Sequence, residues 1–133
     1  MPLSTHEINL PAPQNTLQAV AELYEQALVG NDRETLDALF LNATTTLRYG
    51  IADVQYGFES IAAFRAALAV QSPPRQILRC EVNTYGEDFG TVNLEFRYTD
   101  RVGGGRQSQT WIRTQDGWRI VAAHVSLIGP ETP

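Results

Sequence analysis

Lysine is missing from the 133 residues; all ten basic side chains are arginine. That excludes Schiff-base chemistry through a side-chain amine, and a P-loop ATPase, which needs its lysine. Cysteine occurs once, at Cys80, so no intramolecular disulfide and no paired-cysteine zinc or redox motif can form. Histidine occurs twice, at His6 and His124, and His6 lies in a proline-flanked leader, which leaves no basis for a multi-histidine metal site. No stretch approaches the roughly 18 apolar residues of a membrane span. Met1 to His6 lacks both the cationic and the apolar parts of a signal peptide, so the expected setting is cytoplasmic, away from any membrane. Basic runs are also absent, and a net charge of -5 speaks against nucleic acid as a partner. Whatever chemistry exists must come from Arg, Tyr, Asp, Glu, Gln, Ser and at most one useful His.

With 43% hydrophobic and 19% charged residues, the composition suits one folded domain. Residues 1–14 carry three of the seven prolines and read as a flexible leader, 15–129 as the domain, and 130–133 as a tail. From Asn15 the apolar spacing is helical, with Leu17, Val20, Ala21, Tyr24, Ala27 and Leu28 on one stripe. Gly30 stops that helix, and Asn31 with Glu34 reads as the capping box of a second. Thr44 to Gly50 reads as a short strand, and a third helix is expected from Phe58 to Val70. Beyond Pro73-Pro74 the pattern is all strand: Ile77 to Tyr85, the alternating run Val92 to Tyr98, Arg106 to Gln115 and Trp118 to Ile128. Three helices followed by a four-stranded meander is an α+β order.

The last two strands allow a sharper expectation. If Asp116-Gly117 forms a type I′ turn, Gln109 faces His124, Trp111 faces Ala122 and Gln107 faces Ser126. The other face, with Ile112, Val121, Thr110 and Ala123, is small and aliphatic and fit to receive helices. The Trp-Gln-His-Ser face suits either a pocket or a subunit interface. As a pocket it would offer Gln109, Trp111 and His124 to a substrate.

Each remaining candidate has a plain structural alternative. Tyr24 sits in the apolar stripe, where a core tyrosine with a backbone partner is the ordinary outcome. Arg48 stands mid-strand between small neighbours; if it points inward it needs an acidic partner, such as Glu95 or Glu22, or an anionic ligand. Glu81, Glu95 and Asn93 read as solvated, Arg75 and Arg79 as surface, and Cys80 as a buried inert thiol alternating with Leu78 and Val82. Ser126 lacks the context of a serine hydrolase.

Several stretches resemble a known family. Arg48-Tyr49-Gly50, Tyr56-Gly57, Ile61 to Arg65, Gly105 to Trp111 and Asp116 to Ser126 are similar to the AtzH-like group, which includes the HpxZ-type protein of oxalurate catabolism. The resemblance covers about Leu17 to Ile128. It implies the cone-shaped nuclear-transport-factor-2-like (SnoaL-like) fold, three helices on a curved, mainly antiparallel sheet enclosing a pocket. It also implies a cofactor-free, decarboxylating amidohydrolase acting on 1,3-dicarboxyurea to yield allophanate, as in cyanuric acid degradation. The family's tyrosine on the first helix and arginine on the first strand correspond to Tyr24 and Arg48, which would act as acid/base and carboxylate anchor. Folds of this type commonly dimerise through the sheet, and Trp111 and Trp118 would supply an apolar face. Two rival readings stand beside the enzyme: an accessory partner of an amidase, and a binding module for a carboxylated metabolite.

Overall fold

The proline-bearing stretch is the first ordered part of the fold. The computed structural model describes residues 2–129; the tail expected at 130–133 lies outside them. Ser4 caps a short 3-10 turn, Thr5–Glu7, in a reciprocal box with Glu7. Asn9 then ties the chain to the sheet: its side-chain oxygen accepts from Thr84 N, its amide donates to Asn83 Oδ1, and its backbone N–H donates to Thr84 O. Helix α1, Pro11–Val29, begins earlier than expected. Proline suits a helix's first position, where its missing N–H has no intrahelical acceptor, so Pro11 is a start signal and not a mark of looseness.

Gly30 keeps a right-handed backbone, so the reversal falls on Asn31, at φ 55°. Capping therefore passes to Asp32, whose carboxylate accepts from the N–H and hydroxyl of Thr35 at the start of α2, Arg33–Leu39. Helix α3, Phe58–Ala67, ends short of Val70. Strands β1, Leu47–Tyr49, and β2, Val54–Tyr56, form a small hairpin whose second arm has no counterpart in the sequence reading. Four long strands follow: β3, Arg75–Thr84; β4, Phe89–Tyr98; β5, Gly104–Thr114; and β6, Gly117–Ile128.

These six strands form one sheet in the order β2-β1-β6-β5-β4-β3, antiparallel throughout except where β1 runs parallel to β6. The three helices pack on one face of this curved sheet, an α+β fold as expected. Leu17, Ile61, Trp111 and Ile120 are fully enclosed between the layers. Among the described residues no helix is long and apolar enough to cross a membrane.

The last hairpin departs from expectation in two steps. Its loop is Gln115-Asp116, with Thr114 opposite Gly117 and Trp111 opposite Ile120, a slip that leaves the faces unchanged. A bulge then sets Thr110 opposite Ala122, so that Val121 is the extra residue and Gln109 meets Ala123 in place of His124. A single extra residue exchanges the two faces of everything beyond it. Ala123 and Val125 therefore turn towards the helices and His124 turns away. The helix-bearing face is the one with Gln107, Gln109 and Trp111, the reverse of the aliphatic face expected to receive helices. Trp111 and Trp118 are buried in the subunit's own core, at 0% and 3% exposed, and cannot form a docking surface. A second bulge at Leu78 shifts β3 in the same way. Leu78 is exposed, and Cys80, expected to be buried, is open to solvent beside a groove under α1.

Candidate functional site

A hollow of about 120 Å³ lies between the C-terminal half of α1 and the strands beneath it. Four elements contribute the polar side chains of interest to its lining: Tyr24 of α1, Arg48 of β1, Arg75 of β3 and Gln107 of β5. Tyr24 occupies the buried stripe of α1, 5% exposed, with its ring tilted 6.4 Å from that of Phe40. Its hydroxyl meets a polar side chain and not the backbone: Gln107 Nε2 donates to Oη at 3.4 Å.

Arg48 is the centre of β1, flanked by Gln55 on β2 and Ala123 on β6. Because Ala123 is small and inward, the guanidinium has room on the helix side, where it lies 5.3 Å from the centre of the Phe64 ring. Its Nη1 donates to Asp53 Oδ1 at 2.7 Å and to Gln55 Oε1 at 2.9 Å, and Gln55 Nε2 donates to the same Asp53 oxygen. Asp53 can fold back this far because position 50 is glycine; a Cβ there would strike the carboxylate. Among the described residues nothing accepts from Arg48 Nε or Nη2. One edge of the fork is thus left open, the edge that binds a carboxylate through two parallel bonds.

The acidic partner of Arg48 is therefore neither Glu95 nor Glu22, both exposed. Asp53 is a loop residue, and its approach depends on the β1–β2 hairpin, whose three-residue arms are too short to show a period in the sequence. Arg75, expected at the surface, is inside. Its side chain is only 5% exposed, with Nε and Nη2 on the two oxygens of Glu25 at 2.9 and 2.6 Å. Nη2 also donates to Gln107 Oε1 at 2.9 Å, and the guanidinium lies 4.4 Å from the Phe96 ring centre. The usable signal is parity: Arg75 lies two residues before the inward Ile77, on the same face of β3.

The three residues expected to touch a substrate are not gathered here. Trp111 has no exposed surface; its indole N–H donates to Gln109 Oε1 at 3.0 Å. Gln109 lines the separate groove, of about 400 Å³, under α1, and its Nε2 is buried without a partner. His124 borders the hollow only from the exposed side, edge-on to Tyr49 at 5.7 Å. In the groove, burial chiefly, and then the charges of Glu25, Glu81 and Glu22, push the Cys80 thiol above its ordinary value, which disfavours the reactive thiolate.

The comparisons agree with this architecture. A cystatin-like fold protein from Burkholderia xenovorans is 47% identical, covering 94% of this chain and 98% of its own, at a TM-score of 0.89. A protein of unknown function from Pectobacterium atrosepticum is 39% identical over 96% of this chain and 100% of its own, at a TM-score of 0.90. At 16% identity, a nuclear-transport-factor-2-like protein of unknown function from Pseudomonas putida shares the fold, with a TM-score of 0.74 over 94% of this chain and 89% of its own. No curated protein matches. The AtzH-like family model matches residues 6–131, nearly the whole chain, and the chain belongs to that family, on a nuclear-transport-factor-2-like fold.

Proposed function

We propose that the hollow binds a small N-carboxylated urea and releases carbon dioxide from it. The observation that carries this reading is that Tyr24 and Arg48, the latter with one edge of its fork open, line the same hollow. A guanidinium fork matches a carboxylate in geometry and charge, which a lysine would not. On a 1,3-dicarboxyurea, Arg48 holds the carboxylate that is retained. Clamping the departing one would stabilise its charge just where that charge must be lost. The N–C bond to the other carboxylate breaks, carbon dioxide leaves, and the bonding pair returns to nitrogen. Tyr24 gives that nitrogen its proton, and water returns a proton to the phenolate. Such proton delivery contributes about 10²–10⁴ in rate. The step uses only this chain's residues, the substrate and water.

The test is carbon dioxide release from 1,3-dicarboxyurea. Tyr24→Phe should keep the fold and lose turnover by about 10²-fold or more, while Arg48→Lys should raise KM. Full activity in both variants would overturn the assignment. A metabolite-binding module would instead bind carboxylates with no turnover in the unmodified protein, and a non-catalytic partner of an amidase would do neither.

A further inference from the structure

The hydrogen-bond directions around Tyr24 have only one solution. A guanidinium can only donate, so the Gln107 amide must turn its oxygen to Arg75, as the 2.9 Å contact requires. That leaves Nε2 facing Tyr24, 3.4 Å from Oη. An amide nitrogen also can only donate, so the phenol oxygen accepts, and its own proton is not spent on Gln107. Among the described residues no other side chain takes that proton. Tyr24 borders both the hollow and the groove under α1, and of the two only the hollow is also lined by Gln107 and by an arginine with a free fork edge.

We infer that Gln107 is the positioning residue that directs the Tyr24 proton into the hollow, and that Arg75 and Glu25 fix Gln107 in that orientation. The inference rests on the reading of Tyr24 as proton donor and adds what sets the donor's direction. Arg75 makes a rigid support, because Glu25 holds it by two bonds, Phe96 lies under it, and it has almost no freedom to turn. When Tyr24 releases its proton, the O–H bonding pair stays on Oη, and the same Gln107 N–H then donates to a phenolate. Donation to a charged oxygen is shorter and stronger than the long contact of the resting state. The arrangement therefore favours the state reached after transfer.

Glutamate at this position matches glutamine in size and reverses the logic. In Gln107→Glu the ionised carboxylate accepts from Arg75 and from Tyr24, drawing the phenol proton away from the hollow. A structural filler would tolerate that exchange; a positioning residue would not. With 1,3-dicarboxyurea, Gln107→Glu and Gln107→Leu are expected to lower kcat roughly 10- to 100-fold, with KM within about twofold, whereas Arg48 variants move KM. A second measurement needs no turnover. In ¹⁵N-labelled protein, the Gln107 side-chain amide signal, assigned by its loss in Gln107→Leu, should shift in Tyr24→Phe. An amide signal unmoved in Tyr24→Phe overturns the inference whatever the substrate is. So does a wild-type kcat in Gln107→Glu beside an inactive Tyr24→Phe. An active Tyr24→Phe instead removes the proposed function, and with it any role for the proton that Gln107 would direct.

Discussion

Arg48 and Arg75 border one hollow and differ in what they have left to offer. Arg75 is committed along a whole edge of its fork, while Arg48 is held through Nη1 alone. The first is structural support and the second is available to a ligand. Removing one partner of a buried pair strands the other charge, and that stranding costs more than the pair itself contributes. Glu25→Leu is therefore expected to lower stability by about 3 kcal/mol in urea unfolding. Adding Arg75→Met should recover most of the loss, because two apolar side chains of similar size need no partner. Deleting a solvated pair is a different matter. At Arg113 and Asp88, whose side chains are 45% and 71% exposed, the same experiment should move stability by less than about 0.5 kcal/mol. Equal effects at the two pairs would contradict the distinction.

Among the elements, β6 carries the register that builds the hollow. Its bulge lets Ile120 face the core near the turn and Ala123 face Arg48 beyond it. Val121 is the surplus residue, so deleting it joins Ile120 to Ala122 in a regular ladder and leaves every inward residue inward. This deletion should retain the far-UV spectrum and a single thermal transition. Deleting Thr110 from the facing strand would instead turn Gln109 and Gln107 outward, and should abolish cooperative unfolding. A Val121 deletion as damaging as the Thr110 one would mean that the bulge has another purpose. Bulges also mark the limit of what is legible in the sequence. Alternation in Val92, Leu94 and Phe96 announces a two-faced strand, and the structure has it. Leu78 and Val121 carry nothing that distinguishes a bulged residue from a paired one, so strict alternation puts Leu78 and His124 on the wrong sides. Arg48 can be picked out because it looks uneasy as core, whereas Tyr24 reads as an ordinary core tyrosine and only the family resemblance singles it out. Glu25 and Gln107 cannot be picked out, since their meaning comes from Arg75, a residue remote in sequence from both.

Across the whole molecule, the hollow exists only once α1, β1, β3 and β5 have come together. No segment holds the site alone, so ligand binding is coupled to global folding. A molecule that binds only the native state stabilises it by about 2.7 kcal/mol at a hundred times its Kd. Malonate, an unreactive dicarboxylate, is a suitable probe, and a saturating concentration should raise Tm by roughly 4 °C or more for a domain of this size. The chain's net charge of -5 opposes the approach of a dianion, so such a shift cannot come from general attraction and must arise locally. Arg48→Gln removes the open fork and should abolish the shift. Arg79→Gln removes a solvated arginine paired with Glu81 on the outer face and should leave the shift intact. The contrast between these two variants locates the binding. A shift that survives Arg48→Gln would put the anion somewhere other than the hollow, and would separate the pocket's shape from any carboxylate chemistry.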